Sequence, residues 1–254
     1  MKRLVDVTLN GATLSSVHAK ILGIRVLEQP TQDEVVYENR GMLPGQRVIS
    51  KKRTGLNLTV VVKVCELYDL KTRMDVINAV NTWAAPGGEM EISYRRDMSL
   101  NVALIQSASP GDIREYNTEI ELVFTANGWP FWKGAGVRYQ LAGASSATTM
   151  QIQGSAPALV DAAVYVIRPI TEITLTVGET NVHLTGMDIP AGGYLTLTHN
   201  EDGVISVMFG DTSLFQYLSA DSGDCLMTSG GSARASYTTD GDVEVTFTTS
   251  GRWL

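Results

Sequence analysis

Apolar and polar residues alternate along much of the first half of the chain, and this pattern predicts β-strands. The longest alternation covers residues 56–65, where aliphatic side chains fall on one face and residues such as Asn57 and Lys63 fall on the other. A second alternation covers residues 118–124 and ends before the turn dipeptide Asn127-Gly128. Shorter apolar runs predict further strands at residues 4–9, 21–27, 35–37, 48–49, 90–94 and 100–104.

One segment has the periodicity of an amphipathic helix instead. Its apolar residues recur at the spacing of one helix face: Leu70, Met74, Ile77, Val80 (or Val76) and Ala84. Asp69 precedes the segment as a capping residue, and Pro86-Gly87-Gly88 ends it. We interpret Met74 and Trp83 as core packing and not as a cofactor site, because helices that cover a core bury such side chains routinely.

An aromatic cluster, Trp129-Pro130-Phe131-Trp132, follows the strand at residues 118–124. Pro130 has no N–H to donate, so a strand ends there. We interpret the cluster as the close of one core, with Gly134-Ala135-Gly136 as a hinge to the next. The predicted domains are therefore residues 1–133 and residues 134–254, the alternative being one continuous domain with an aromatic hairpin.

After the cluster the helical period disappears, and short alternating runs are separated by turns rich in Gly, Asn and Asp. The runs lie at residues 137–141, 149–152, 162–166, 173–177, 182–184, 195–198, 204–208, 215–217 and 243–247. The turn at residues 199–203 predicts a hairpin, and Arg252-Trp253-Leu254 is predicted to finish an edge strand. Many short strands with turns between them indicate a β-sandwich. The predicted fold is mainly β, with a barrel-like first domain that carries one helix.

Charge differs sharply between the two predicted domains. Residues 1–133 carry 16 basic and 15 acidic residues, whereas residues 134–254 carry 4 and 12, with no lysine after Lys133. This acidic balance argues against a nucleic-acid binder, which needs a positive field to meet phosphate. The basic run Lys51-Lys52-Arg53 is interpreted as a solvated loop between strands in preference to a phosphate site.

Little in the sequence indicates catalysis. His18, His183 and His199 are scattered, and no common catalytic or phosphate-binding motif occurs. Asp221-Ser222-Gly223-Asp224 and Asp240-Gly241-Asp242 have calcium-binding residue types, but Asp and Gly are also what tight turns require, and we favour turns. We therefore predict no catalytic residues, no cofactor and no metal.

The cysteines and the N-terminus indicate the cellular compartment of the protein. Cys65 and Cys225 have no metal-binding spacing and indicate a reducing environment. The N-terminus has no signal-peptide core, and no run reaches the ~20 apolar residues of a membrane helix. We expect a soluble protein made in a cytoplasm.

The order of several segments resembles the distal tail proteins (Dit) of long-tailed bacteriophages and prophages. These segments are Trp83-Ala84-Ala85-Pro86-Gly87-Gly88, Ile120-Glu121-Leu122-Val123-Phe124, Trp129-Pro130-Phe131-Trp132, Gly154-Ser155-Ala156-Pro157-Ala158 and Ile189-Pro190-Ala191-Gly192-Gly193-Tyr194. The resemblance extends over nearly the whole chain. Each motif is weak by itself, and their order carries the resemblance.

The resemblance implies a structural protein of the virion tail tip, assembled in the host cytoplasm. It implies a homo-oligomeric ring, a hexamer, whose N-terminal domains join the tail tube protein to the tail-tip hub protein. The C-terminal domain is then a galectin-like sandwich that projects outward. The further partners implied are a receptor-binding protein or the tape measure protein, with no nucleic acid and no membrane insertion.

Two other functions compete with this one. A carbohydrate-binding module or lectin is supported by the predicted sandwich and by four aromatic residues, Tyr194, Phe215, Tyr217 and Trp253. The second domain has only one tryptophan and no large insertion, which disfavours direct sugar binding. A small β-rich hydrolase is the other competitor, but no pair of acids has a supporting motif around it.

Overall fold

The computed structural model describes residues 5–30, 33–39, 46–53, 55–64, 70–108, 119–142, 146–200 and 203–253. The chain divides into two compact units, Met1–Phe131 and Trp132–Leu254. Cys65, Asp69 and Thr118, which belong to segments considered in the sequence, lie outside the described residues. The two units are taken in turn.

The first unit is built from antiparallel strands and one helix. Its strands are β1 (Val7–Leu9), β2 (Ala12–Thr13), β3 (Ile21–Pro30), β4 (Asp33–Asn39), β5 (Gln46–Arg53), β6 (Leu56–Val64), β7 (Gly88–Ile92), β8 (Met98–Gln106) and β9 (Glu119–Ala126). Seven of them pair in the order β3-β6-β9-β8-β7-β1-β2, whereas β4 and β5 pair with each other. A turn at Asn10 and Gly11, both with positive φ, joins β1 to β2.

The inner face of this sheet is aliphatic, as the alternation in β6 predicts. The register places Val60 opposite Leu122 and Leu58 opposite Phe124, and all four side chains are buried. The cross-strand neighbours on this face are therefore aliphatic or aromatic side chains, and their packing stabilises the sheet. The alternation predicted at residues 118–124 is found in β9.

The helix α1 (Leu70–Ala84) covers the inner face. Ile77 and Val80 are buried and Met74 is half-buried, so the predicted apolar face is confirmed at these positions; the side chain of Leu70 lies outside the described part. Trp83 packs edge to face on Phe124 with ring centroids 6.3 Å apart, and its Nε1 donates to the carbonyl oxygen of Ala12 at 2.8 Å. Trp83 is thus a core residue.

A glycine allows the chain to turn sharply after α1. Gly87 has φ +58°, and a Cβ there would lie 2.6 Å from the carbonyl oxygen of Val102. Both the left-handed backbone and the close approach to β8 require glycine at this position. The stop signal read from Pro86-Gly87-Gly88 is confirmed.

The sheet of the first unit is strongly curved. Glu28 on β3 binds Arg95 in the turn between β7 and β8 through two contacts, Nε to Oε1 at 2.9 Å and Nη2 to Oε2 at 2.7 Å. In a flat sheet Glu28 would be roughly 14 Å from Leu104, its register neighbour on β8, and farther still from Arg95, which lies beyond the opposite end of β8. The contact therefore requires the sheet to curl, which agrees with the predicted barrel-like shape.

The second unit is a β-sandwich, as predicted. Its strands are β10 (Trp132–Leu141), β11 (Ala147–Ile152), β12 (Ala158–Val166), β13 (Ile170–Val177), β14 (Thr180–Ile189), β15 (Tyr194–His199), β16 (Ile205–Phe209), β17 (Thr212–Ser213), β18 (Met227–Thr228), β19 (Gly231–Thr239) and β20 (Val243–Trp253). One sheet has the order β17-β16-β15-β12-β20-β10, with β18 paired to β12, and the other has the order β11-β19-β13-β14. Their inner faces enclose one core that includes Val164, Leu175, Leu184 and Phe247.

Three predictions for the second unit are wrong. Phe215–Tyr217 is a 3-10 turn and not a strand, since two alternating aromatics do not define an extended segment. Arg252 and Trp253 end β20, which lies between β10 and β12 and is not an edge strand. The glycines Gly134 and Gly136 lie inside β10 and are not a hinge; a bulge between Lys133 and Gly136 accommodates them.

The loop interpretation of the basic run is also wrong. Lys51, Lys52 and Arg53 are the last residues of β5, and the register places Lys52 opposite Glu34 and Arg53 opposite Asp33. Acidic and basic positions therefore face each other along this hairpin.

Candidate assembly and binding surfaces

Strand β3 is an exposed edge of the first unit. Among the described residues its backbone pairs only with β6, and it is ten residues long. Leu22 and Leu27 on this strand are 56% and 41% exposed. A long edge strand with exposed leucines is a template for pairing with another chain, so β3 is a candidate assembly surface.

The outer face of the same sheet continues this surface. The register aligns Leu27 of β3 with Thr59 of β6 and Val123 of β9. Ile105, at a bulge in β8 beside Val123, is an exposed apolar residue. We call Leu27, Val123 and Ile105 the outer apolar row. Its apolar groups lie among polar neighbours, as in protein–protein interfaces.

His199 lies in the second unit and is a structural histidine. Its side chain is 1% exposed; Nδ1 lies 2.9 Å from Oδ1 of Asp161, and Nε2 accepts the N–H of Leu226 at 3.1 Å. Accepting at Nε2 requires the proton on Nδ1, so the ring is neutral and donates to Asp161. Both nitrogens are engaged in holding β15, β12 and the segment before β18 together.

A small polar cleft opens beside His199. Its volume is about 130 Å³, and it is lined by Lys133, Asp161, Thr248, Ser250 and Arg252 among others. Ligand pockets usually measure about 300–1,000 Å³, so the cleft is too small to enclose a substrate of that class. It brings together basic, acidic and hydroxyl groups without a nucleophile and base at bonding distance.

The structure brings His183 and Asp221 together, two residues that the sequence considered separately. Nε2 of His183 lies 3.0 Å from Oε1 of Glu172, and Nδ1 lies 3.4 Å from Oδ1 of Asp221. The pKa of Asp221 is lowered, first by a hydrogen bond from Ser219 and then by its own backbone N–H and by His183. Glu172, which sequence reasoning missed, belongs to this cluster because β13 and β14 are neighbours.

Asp240 supports a turn, as its sequence context indicates. Its carboxylate accepts from the N–H and hydroxyl of Thr171 and from the N–H of Glu172. These bonds lower the pKa of Asp240, the Thr171 hydroxyl being the main cause. In the described part of the chain, no group of three or more His, Cys, Asp or Glu side chains is placed to hold a metal ion.

The aromatic residues considered for sugar binding have different roles. Tyr217 packs against the sandwich core, and Trp253 lies opposite Trp132 with its indole over Gly134, where a Cβ would clash. Tyr194 and Phe215 are exposed. Tyr194 pairs with Tyr165 at a centroid distance of 5.0 Å and an interplanar angle of 44°.

His18 and Cys225, which the sequence also brought into question, have ordinary structural surroundings. His18 accepts the N–H of Lys20 at 3.2 Å within a turn. Cys225 is half-buried, and this burial raises the pKa of its thiol. In the described residues, no helix has both the length and the apolar character needed to cross a bilayer.

Comparison with known proteins finds similar structures but no similar sequence. No family model and no curated protein matches the sequence. The structure is similar to the crystal structure of Dit, the distal tail protein of phage SPP1, which is described as a paradigm of the hub adsorption apparatus in phages that infect Gram-positive bacteria. The TM-score is 0.72 at 12% identity, over 99% of this chain and 100% of that chain. The chain has the distal tail protein fold.

Two baseplate structures of phage P2 also match over nearly the full length. The baseplate activated with calcium has a TM-score of 0.44 at 10% identity, over 98% of both chains. The baseplate activated with strontium has a TM-score of 0.40 at 10% identity, over 96% of this chain and 97% of that chain. The family resemblance seen in the sequence is thus confirmed as a fold by the SPP1 structure.

Proposed function

We propose that this protein is a structural component of a phage tail tip. The observation that carries the proposal is the match to the SPP1 distal tail protein over the whole of both chains. Both the curved sheet with one helix and the sandwich take part in that match. A fold shared with so specialised a protein over the full length favours the same structural role.

The proposed assembly is a homo-oligomeric ring, a hexamer, that joins the tail tube to the tail-tip hub. The exposed edge of β3 and the outer apolar row support self-association, because a ring of subunits pairs or covers such edges.

A non-enzymatic role fits the geometry of the titratable side chains. His199 and Asp240 have their hydrogen-bonding groups committed to holding backbone segments in place. A catalytic base must be within reach of a nucleophile or substrate, and the cleft beside His199 offers little room for one. The second unit, with its excess of acidic residues, serves in this proposal to dock a host-adhesion protein.

The test is the mass of the purified full-length protein in solution, measured by light scattering. The expected result is a hexamer at micromolar concentrations. Leu27→Arg should reduce assembly, because it places a charge in the outer apolar row. Val204→Arg is the matched control, since Val204 is an exposed apolar residue of the second unit. A monomeric wild type, or equal loss of assembly in both variants, would contradict the proposed interface.

A further inference from the structure

Strand β14 is the outer strand of its sheet, and half of its open edge is covered by a later segment of the chain. Leu184 forms an antiparallel bridge with Leu218, and Ser219 N–H donates to the carbonyl of His183 at 2.9 Å. Gly223 N–H donates to the carbonyl of Asn181 at 2.8 Å. We call residues 217–227 the strap. It occupies the edge of β14 in the way that a neighbouring strand would.

Side-chain contacts fix the middle and the C-terminal end of the strap to β14. In the middle, the hydroxyl of Ser222 accepts the N–H of His183 and donates to its carbonyl, each at 2.8 Å. At the C-terminal end, Thr180 Oγ1 accepts the N–H of Met227 at 2.9 Å and donates to its carbonyl at 3.1 Å. The middle of the strap, residues 219–225, has no buried side chain, whereas Leu226 is buried in the sandwich core. This middle part is therefore the one that opens locally at low cost.

The side chain of His183 holds the strap to the sheet through charged contacts. Its two nitrogens face Glu172 on β13 and Asp221 on the strap. Carboxylate oxygens only accept hydrogen bonds, so both contacts can be made at once only when both nitrogens carry hydrogen. The fully fastened state therefore contains a positively charged imidazolium between two negative carboxylates.

The other charged groups near this cluster are acidic. Asp240 bonds the backbone N–H of Glu172, and hydrogen bonding lowers the pKa of both Asp240 and Asp221. Among the described residues, His183 is the cationic partner of Glu172 and Asp221. Loss of its proton leaves one nitrogen lone pair facing a carboxylate, so that contact changes from attraction to repulsion.

We propose that the strap is a pH-dependent cover for the edge of β14, fastened by protonated His183 and loosened as pH rises. Histidine changes its charge between about pH 5 and pH 8, while Glu and Asp carboxylates remain ionised throughout that range. The fastening is therefore present at the acidic end and is lost toward the alkaline end. Loosening exposes the backbone groups of residues 180–184 as a free edge for strand pairing.

The test is hydrogen exchange of the full-length protein at about pH 5.5 and about pH 8, corrected for the pH dependence of chemical exchange. The amides of Ser219 and Gly223 report on the strap directly. Their protection should fall about two- to fivefold as pH rises, the range expected for losing one partly exposed ion pair. The amides of β6 should not change, because this strand belongs to the first unit.

Variants decide whether His183 causes the effect. His183→Gln should leave the strap loosened at both pH values, and Asp221→Asn, at an exposed position, should weaken the pH dependence without disturbing the fold. His18→Gln is the control, since it removes a histidine from the first unit and should retain the wild-type response. Equal protection of the wild type at both pH values, or an unchanged pH response in Asp221→Asn, would overturn the proposal.

Discussion

At the scale of single residues, Glu28 and Arg95 form the shortest ion pair of the described chain, at 2.7 Å. Both side chains are largely buried, 21% and 23% exposed, and the contact is bidentate. Arg25 and Glu119 are 3.7 Å apart and exposed. Exposed pairs contribute about 0–1 kcal/mol at most, whereas a bidentate and partly buried pair contributes more. The first pair therefore matters more for the curl of the sheet.

Tyr94 makes the stability contributed by this contact depend on pH in the alkaline range. Its hydroxyl donates to Oε1 of Glu28 at 3.0 Å, and its pKa is raised to about 12, first by burial and then by the Glu28 charge. A pKa raised by folding contributes stability that is present below about pH 10 and is lost as pH rises toward 12. Tyr94→Phe has no such proton to lose.

We therefore expect wild type and Tyr94→Phe to differ increasingly above pH 10. The wild type should lose free energy of unfolding relative to the variant between pH 10 and about 12. Below pH 9 the variant should show only a constant deficit from its missing hydrogen bond, about 1 kcal/mol. Urea unfolding across this pH range measures both, and parallel curves up to pH 12 would contradict the role given to Tyr94.

The histidines show what sequence reveals about single residues. Their scattered positions correctly suggested hydrogen-bonded or surface residues, and His199 is a buried example. Their partners were not predictable, because Asp161 and Asp221 are each 38 residues away from the histidine they contact. The pairing of β12 with β15 brings Asp161 to His199, and the path of the strap along β14 brings Asp221 to His183. Local spacing in the sequence predicts neither.

At the scale of elements, α1 provides the clearest test of the first core. Ile77 is 2% exposed, so Ile77→Asp would bury a charge without a partner. The cost should be several kcal/mol, which is comparable to the total stability of a domain. Asn78→Asp is the matched control, because it adds the same charge one residue later on the exposed face.

Thermal unfolding followed by circular dichroism should separate these two variants. Ile77→Asp should melt well below the wild type or fail to fold, and Asn78→Asp should melt close to the wild type. Equal melting temperatures for Ile77→Asp and wild type would show that this helix face is not buried in solution.

Elements were predictable where alternation was long and the side chains were large. β6, β9 and β12 have such patterns, and each is a strand with one buried face. β19 was missed, because Gly231, Ser232, Ala233 and Ala235 are small residues with weak strand signals. Ala233 and Ala235 are nevertheless buried, because the tightly packed core has room only for small side chains at these positions.

At the scale of the whole molecule, the order of weak motifs carried more information than any one of them. No family model matches, and identity to the SPP1 distal tail protein is 12%, yet the fold agrees over the full chain. Turn glycines, buried alternation and one amphipathic helix constrain a fold without fixing individual side chains. Assembly surfaces were less predictable, since exposed apolar residues such as Ile105 depend on bulges and register.

The division into two independently folding units remains a prediction. The structure changes the boundary at which this prediction should be tested. The sequence placed the boundary after Lys133, but β10 begins at Trp132, and Trp132 is buried opposite Trp253. A fragment of residues 132–254 should therefore fold as an acidic β-sandwich. A fragment of residues 134–254 lacks the first two residues of β10 and should melt several degrees lower.

Tryptophan fluorescence can follow both halves. Trp83 and Trp129 lie in residues 1–131, and Trp132 and Trp253 lie in the remainder. The first fragment should keep Trp83 in its core, with blue-shifted emission, and should still self-associate through β3. The second should remain monomeric, because its excess of acidic residues opposes association.

Red-shifted emission from either fragment, or a longer second fragment no more stable than the shorter one, would mean that the chain folds as one cooperative unit.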